Sequence, residues 1–357
     1  MPRVLQVGAG GFGRVHLQAW LDLGYRESLW VAELSPERRA WAAARGIPAD
    51  RLGEDFRRWL DQADVVDIVT ATDTHAPLCR EALAAGKDVF IEKPMTMTAE
   101  DARLLAALAE QTSRLIQVGY YYRFHPISQH LKRELDAGRF GAVRYITGNF
   151  CGFKRARTDV GVTHTDGIHF LDLFSWLLGR PPVEVYAVCR DHFRRGLEDF
   201  SVVLLTYPGG AVGKVESGYI QPGRWKDRVV PGALTTKEIT IVGEQATATA
   251  DFEAETLTWY DVRQEFKNQT WTPVIGETRQ PTPFEPCGPV ALVARELSAF
   301  LGSVQARRPT LVGPVDGGVN LAVLMEGLYA SAARGRPVRL DGTAPAAPGE
   351  LMRIAHG

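Results

Sequence analysis

Apolar and polar positions follow two rhythms along this chain. Over the first 120 residues, short apolar runs are separated by longer stretches in which apolar residues recur every three or four positions. "RVLQVGA", "SLWVAEL", "DVVDIVT", "KDVFIE" and "RLIQVG" are short and nearly continuous in apolar character, the pattern of buried strands. Helical patterns lie between them, at 12–23, from Pro36 onward, at "HAPLCREALAAG" and at 99–111. Ser35 before Pro36 reads as an N-cap with proline at the first helical position, and Gly86 reads as a C-cap. Apolar strands alternating with amphipathic helices predict a parallel sheet covered on both faces.

Past residue 120 the rhythm changes. A helix is predicted at about 125–137, a strand at 142–153, and a second helix near 165–178 that stops at Gly179 with Pro181 beyond it. From 183 to about 275 the chain is mostly strands: "VEVYAVCRD", "DFSVVLLTY", "GAVGKVESGYI", "KEITIVG", "ATATADF" and "TLTWYDV", with turns such as "YPGG" and "VGEQ". Consecutive strands without helices favour antiparallel pairing. Helices at about 288–304 and 315–334 precede an Ala/Pro-rich tail. The predicted architecture is α/β: a doubly wound parallel sheet over 1–120, an α+β domain with a large, mostly antiparallel open sheet over 121–342, and a loosely held tail over 343–357. The second sheet has helices for only one face, and "VGKVESGYI" would leave apolar residues in water on the other. A homodimer or homotetramer is therefore expected.

A length of 357 residues suits two domains. With 45% apolar and 23% charged residues, the composition is that of an ordinary globular protein. A formal net charge of −1 gives no electrostatic footprint for nucleic acid or an anionic membrane. The basic run "FKRARTD" is short and reads as a solvated loop. Cys79, Cys151, Cys189 and Cys287 include no C-x-x-C pair, so neither a metal site nor a disulfide framework is indicated, and a reducing, cytoplasmic setting is expected. No basic region followed by a long apolar stretch suggests a secretory signal, and no window of about 18 uncharged apolar residues suggests a membrane span.

Gly8-x-Gly10-x-x-Gly13 is a weak signal alone. Here a strand precedes it, a helix follows, and Glu33 stands about 20 positions on, at the end of the second strand. In that setting Gly8 permits a tight turn, Gly10 lets backbone approach a pyrophosphate, and Gly13 allows close helix–sheet packing, the Rossmann pattern of dinucleotide binding. The phosphates would meet the positive end of the helix at Gly11, Phe12 and Gly13. The Glu33 carboxylate can accept from both hydroxyls of an adenosine ribose and would repel a 2′-phosphate, which favours NAD. Arg38 and Arg39 follow closely and keep NADP open as the lesser alternative.

"VFIEKPMTMTAEDARLLAALAEQ" carries Glu-Lys-Pro at the end of a strand. With "ATDTHAPLCREALAAGKDVFIEKP", "GYYYRFHP" and "TDGIHFLDLFSWLLG", in this order and spacing, the chain resembles the glucose–fructose oxidoreductase / inositol dehydrogenase family, Gfo/Idh/MocA, over about residues 2–340. The resemblance implies an NAD(P)-dependent oxidoreductase. It places Lys93 beside the nicotinamide and the reacting carbon, where an ammonium can hydrogen-bond the substrate hydroxyl and lower its pKa. It places Glu92 on the nicotinamide ribose and makes Pro94 a fixed turn in which a cis peptide bond is an option. Thr70, Thr72 and His75 fall around the pyrophosphate and ribose, in the crevice where ligands meet parallel strands. His75 can equally be a helix-start residue with no catalytic part. Arg123 borders the family's active site. Tyr121 and Tyr122 are candidates for the cofactor or substrate face, with core packing the alternative for each.

Hydride leaves a carbon only as a proton leaves its oxygen, so a proton acceptor must lie within roughly 3 Å of the reacting hydroxyl. The family's acceptor is commonly a histidine on the helix after the first strand of the second domain, with an Asp four residues earlier on the same face. His169 matches that histidine, but four residues earlier stands Thr165; Asp166 is one step on, about 100° around a regular helix. Two readings are open. In one, a local distortion brings Asp166 to the site. In the other, Lys93 and His169 work without the carboxylate, and Thr165 binds substrate or orients His169. His164 is a further polar contact or an exposed helix-start residue, and Asp172 orients or anchors the helix. "TDVGVTHTDGIHFLDLFSWLLG" resembles in particular the UDP-N-acetylglucosamine 3-dehydrogenase-like branch, and Arg155 and Arg157 just before it can pair with a diphosphate. The substrates implied are small molecules: sugars, nucleotide sugars such as UDP-sugars, or cyclitols. Two alternatives come from other classes: a non-catalytic dinucleotide-binding sugar sensor, and an NAD-dependent, redox-assisted glycosidase.

Overall fold

The apolar runs of the first part form a six-stranded parallel sheet, as their uniform burial requires. The structure, a computed structural model, describes residues 1–228, 230–278 and 280–340. The strands are β1 (Val4–Val7), β2 (Leu29–Ala32), β3 (Leu52–Gly53), β4 (Val65–Ile68), β5 (Asp88–Glu92) and β6 (Ile116–Gly119), in the order β3-β2-β1-β4-β5-β6. Helices α1 (Gly11–Asp22), α2 (Pro36–Ala43), α3 (Arg57–Leu60), α4 (His75–Ala84) and α5 (Ala99–Gln111) connect them. β3 has two residues and no apolar run, so periodicity does not announce it. The strand order reverses between β1 and β4, and a crevice opens beyond the carboxyl ends of strands at such a switch point. The segments that follow β1, β4 and β5 carry the glycine loop, Thr70 and Lys93.

Alternating patterning builds the second sheet. After α6 (Pro126–Asp136) come β7 (Val143–Phe153) and α7 (Ile168–Leu178). Then follow β8 (Glu184–Arg190), β9 (Phe200–Thr206), β10 (Val212–Gly218), β11 (Trp225–Lys226), β12 (Leu234–Gly243), β13 (Thr247–Asp251), β14 (Thr256–Lys267), β15 (Thr270–Thr278) and β16 (Thr282–Pro283). With β17 (Val338–Arg339) these make one 11-stranded sheet, running β15-β14-β13-β12-β7-β10-β9-β8-β17 with β11 and β16 at the side. β7 and β10 pair in parallel, and the remaining neighbours are antiparallel. α7 buries Ile168, Phe170, Leu171, Leu173, Phe174 and Leu177, so it is apolar nearly all round, as a core helix is. Phe170 packs against Phe174 and Phe252. The β14–β15 hairpin turns through Asn268 and Gln269, both at positive φ, without the glycine that usually marks such a turn.

One expected boundary is redrawn. The chain divides into two units: Met1–Phe124 with Gly288–Ala322, and His125–Cys287 with the segment from Val323. α8 (Pro289–Ala306) therefore belongs with the parallel sheet and not with a continuous second domain over 121–342. The reason is its apolar face. Val293, Leu297, Phe300 and Leu301 enter one core with Val4, Leu17, Trp20 and Phe90. Glu296, buried on α8, accepts the Tyr120 N–H at 2.7 Å, and its carbonyl accepts from the Gln117 side chain at 3.1 Å. The single helix expected at 315–334 is split into a π-helical turn, Pro314–Val319, and α9 (Asn320–Arg334). The tail expected to be loosely held, 343–357, lies outside the described residues.

Candidate active site

The glycine loop is built to exclude side chains. Gly8 sits at φ +98°, and a Cβ there would lie 2.5 Å from the Val69 carbonyl oxygen. A Cβ on Gly13 would lie 2.6 Å from the Gly8 carbonyl oxygen, so any larger residue would drive α1 off the turn. Gln6 braces the arrangement by donating from Nε2 to the carbonyls of Gly8 and Gly13, at 2.8 Å each. Gly10 is the N-cap of α1 and brings no side-chain cap to the amides of Gly11, Phe12 and Gly13, which face outward as donors for an anion. Glu33 is buried against this loop. Its Oε2 accepts the Ala9 N–H at 2.7 Å and its Oε1 accepts the Ser35 N–H at 2.8 Å. Arg38 Nη1 lies 3.7 Å from Glu33 Oε1, while Arg39 is held by the carbonyls of Glu33 and Leu34 and by Glu54. A cradle that a Cβ would fill, outward amides and a fixed carboxylate are the donor and acceptor set that a dinucleotide needs, and these residues fit it.

Thr70 follows β4, and its hydroxyl accepts from Thr74 at 2.7 Å; Thr72 opens the 3₁₀ turn Thr72–Thr74. His75 is buried, with Nδ1 2.9 Å from the Pro94 carbonyl oxygen and Nε2 3.3 Å from that of Thr70. Burial holds this imidazole below its usual range. It is therefore neutral at neutral pH, and the shorter contact makes Nδ1–H the donor, to Pro94. His75 thus fastens the end of β4 to the Lys93–Pro94 turn, whose peptide bond is cis, and the helix-start reading is the one this arrangement favours. Phe12 stacks on Tyr121 at 5.9 Å, and Tyr121 on Tyr122 at 4.7 Å. All three are in the first unit, as is Arg123, whose guanidinium donates to the Leu311 carbonyl at 3.4 Å.

Beneath the Lys93 turn lies a cluster of charged groups. His16, fully buried on α1, has Nδ1 3.0 Å from Asp67 Oδ2 and Nε2 3.2 Å from Glu92 Oε1. Trp20 Nε1–H donates to Asp67 Oδ2 at 2.7 Å, and the Lys93 N–H donates to Glu92 Oε2 at 3.2 Å. Burial by itself would push the His16 imidazole down, but Asp67 and then Glu92 outweigh it and lift it to about 10.

In the second unit, the start of α7 is not a regular helix. Thr163–Gly167 form a π-helical turn, in which Ile168 N–H reaches the Thr163 carbonyl. The distortion considered from the sequence is present, yet Asp166 spends its carboxylate on Lys154, whose Nζ is 2.7 Å from Oδ2 and 2.8 Å from Oδ1. Lys154 Nζ lies 5.1 Å over the Phe150 ring, and Phe150 stacks on His169 at 6.0 Å. The Thr165 hydroxyl is 2.6 Å from Tyr219 Oη and reaches back to the carbonyls of Gly161 and Val162 at 3.2 and 3.1 Å. His164 is not a simple exposed residue: Nδ1 is 2.8 Å from Tyr329 Oη, which donates to buried Glu198 at 2.7 Å. Asp172 is buried on α7, near the Tyr207 phenol. Arg157 is exposed and already ion-paired with Asp159, which weakens the case for it as a diphosphate clamp.

Two family models match this chain. One, described as an oxidoreductase family with an NAD-binding Rossmann fold, covers residues 2–120, and the other, the GFO/IDH/MocA C-terminal domain, covers 128–249. The chain belongs to the Gfo/Idh/MocA oxidoreductase family. It is 34% identical over 186 residues to the UDP-N-acetylglucosamine 3-dehydrogenase of Acidithiobacillus ferrooxidans, an alignment covering 51% of this chain and 56% of that one. It is 30% identical over 214 residues to the inositol 2-dehydrogenase of Burkholderia multivorans, covering 57% and 63%. The chain thus spans less than two thirds of the length of these curated relatives. A levoglucosan dehydrogenase solved with NADH and levoglucosan has the same fold, with a TM-score of 0.80, 20% identity, and coverage of 95% of this chain and 99% of that one.

Several residues of this Gfo/Idh/MocA chain were not marked as site candidates from the sequence. Asp67 carried a signal, since a carboxylate inside the apolar run "DVVDIVT" needs a buried partner. His16 stands one turn past Gly13 and is that partner. Glu198, Tyr219 and Tyr329 carried none, because their contacts join segments far apart in sequence; Lys154 lay in the basic run read as a solvated loop, which its buried pairing with Asp166 corrects.

Proposed function

We propose that the chain is an NAD-dependent dehydrogenase acting on a CH–OH group, oxidising a secondary alcohol or reducing the matching ketone of a sugar, nucleotide sugar or cyclitol. The observation that carries this reading is the seat formed by Gly8, Gly13 and Glu33, followed in the same unit by the Glu92-Lys93-Pro94 turn. NAD bound at that seat supplies the hydride acceptor. Lys93 donates from its ammonium to the reacting hydroxyl and steadies the charge that grows on oxygen. His169 takes the hydroxyl proton, with Thr165 or His164 supplying further polar contacts. Glu92 accepts from the nicotinamide ribose, and Tyr121 and Arg123 line the approach. Of the two readings of the helix start, Lys93 and His169 working without the family's usual carboxylate is the one favoured, because Asp166 is engaged with Lys154.

Denaturing the purified protein tests this: NAD should be released, and the near-ultraviolet absorbance of NADH should change with at least one compound in a sugar and cyclitol panel. No nucleotide and no absorbance change would sink the reading. Bound NAD that never changes redox state points instead to a sugar sensor, and glycoside cleavage without net change in NADH points to a redox-neutral glycosidase. NAD should bind more tightly than NADP. A 2′-phosphate beside Glu33 pairs like charges, at a cost of roughly 1–4 kcal/mol at about 4 Å for effective dielectrics of about 80 to 20. Titration showing equal or tighter NADP binding, with Arg38 offsetting that cost, would overturn the preference.

A homo-oligomer, dimer or tetramer, belongs to the same proposal. Phe153, Leu204, Val212 and Leu234 are 41–51% exposed. By strand register they share the sheet face opposite Ile146 and Phe150. An apolar face of this kind is usually covered by a partner. Light scattering that found a monomer at micromolar concentration would count against it. Four buried cysteines support the cytoplasmic setting, and among the described residues no helix is long and apolar enough to cross a membrane.

A further inference from the structure

We infer that His16 is a positioning residue for the cofactor: its imidazolium holds the Glu92 carboxylate in place for the nicotinamide ribose. This rests on the reading that Glu92 binds that ribose. His16 is fully buried, and both of its ring nitrogens face carboxylates. A neutral imidazole has one N–H and would turn a lone pair on the other carboxylate, so the geometry requires an imidazolium donating on both sides. Phe12 and Phe90 stand edge-on to the ring at 5.4 and 5.6 Å and exclude water from it. Asp67 has a further donor in Trp20, and Glu92 has one in the Lys93 amide. A carboxylate has about four lone-pair directions. His16 takes one on Glu92 Oε1 and the Lys93 amide takes one on Oε2, which leaves directions for two hydroxyls.

The seat is tight. A Cβ on Gly119 would lie 2.3 Å from Glu92 Oε1, so this carboxylate packs directly on the β6 backbone and cannot swing that way. Without the imidazolium, two buried carboxylates would share one region with only neutral donors. The two carboxylates would then repel each other, and Glu92 would lose the bond that holds its Oε1 in place.

The test separates the two halves of the cofactor. ADP carries the adenosine half and lacks the nicotinamide ribose. His16→Gln should weaken NAD by about tenfold or more, the loss expected for a hydrogen bond to a charged group, while ADP affinity stays within about twofold. Glu92→Gln should do the same, and the double variant should be no worse than the weaker-binding single variant. Equal losses for NAD and ADP, or additive losses in the double variant, would overturn the inference. ADP binding in the variant also reports that the glycine loop has folded. Should His16→Gln not fold, ¹⁵N NMR of the wild-type imidazole at mildly alkaline pH decides: two protonated nitrogens support the inference, and one pyridine-type nitrogen overturns it. Failure of the wild type to bind NAD would strike the proposed function instead.

Discussion

His16 lies between two carboxylates carried by regular strands, whereas Lys154 meets one carboxylate supplied by a π-helical turn. In the first unit, Asp67 and Glu92 are placed by β4 and β5, His16 by α1, and none of these elements is distorted. Acidic groups outnumber the cation there, so the imidazolium serves both. In the second unit, Lys154 and Asp166 match one to one at the helix start. Removing one partner of the buried pair strands a single charge, whereas removing His16 leaves two carboxylates facing each other. Regular elements fix the charged cluster of the first unit, and an irregular helix start fixes that of the second. The two clusters should therefore answer differently to substitution.

The largest expected effect separates binding from chemistry within the first unit. Lys93→Ala should abolish measurable turnover and leave NAD affinity nearly unchanged, because the glycine loop and Glu33 hold the adenosine half without it. Turnover and NAD titration on the same sample check this. A parallel loss of both would mean that the Lys93 turn is part of the binding seat.

His169→Ala should lower kcat by roughly 10²–10⁴, the usual contribution of a positioned acid/base group. Asp166→Asn should cost less in kcat, and its main effect should be on stability, since it strands Lys154. Full activity in His169→Ala together with inactivity in Asp166→Asn would reverse the assignment and make Asp166 the base. The contrast between the units would then weaken, because both would rely on a carboxylate held by a cation.

The pH dependence of stability should show two arms from the first unit alone. His16 has a raised folded pKa of about 10 against an ordinary value of 6.5. Its contribution is complete below about 6.5 and is lost as pH rises toward 10. His75 is shifted the other way by burial, so its unfolded form binds more protons and its contribution is lost as pH falls below about 6.5. Urea midpoints across that range should peak near neutrality. His16→Gln should flatten the alkaline arm and His75→Gln the acid arm. An alkaline arm that persists in His16→Gln would assign it to other groups.

These differences also explain what could be read in advance. The parallel sheet, the glycine loop and the placement of Glu33 follow from apolar runs and glycine spacing, because a turn that a Cβ would block leaves a mark in sequence. The open antiparallel sheet follows from alternation. α8 was assigned to the wrong unit because an amphipathic helix shows that it has a buried face and not which core receives it. The π turn before α7 left no mark: Thr163 through Gly167 suit a regular helix start about as well. Counting back from His169 therefore gave faces that the backbone does not keep. Lys154 and Tyr219 became visible only once β7 and β10 were paired in parallel, which brings the end of one strand beside the end of the other.

The smallest effect belongs to Thr165, where the family usually has its carboxylate. Thr165 donates to a backbone carbonyl of the preceding turn, so the 2.6 Å contact with Tyr219 is one in which the phenol donates. Burial pushes the Tyr219 phenol up, with the Asp166 charge adding to it, which keeps that donor protonated. Thr165→Ala removes the acceptor and leaves a buried hydroxyl, at a cost of about 1–3 kcal/mol in stability. Tyr219→Phe removes the donor instead and leaves Thr165 its backbone bond, so it should cost less. The double variant should resemble Tyr219→Phe alone, because both ends of the contact are then apolar. In turnover, Thr165→Ala should lose much less than His169→Ala, since a hydroxyl cannot stabilise an imidazolium as a carboxylate can. Thr165→Asp should keep activity, or shift it to lower pH, if this backbone accepts the family's Asp–His pairing. Thr165→Ala matching His169→Ala in lost kcat would put this hydroxyl in the proton path, and the π turn would then present a reacting group as well as shape the helix start.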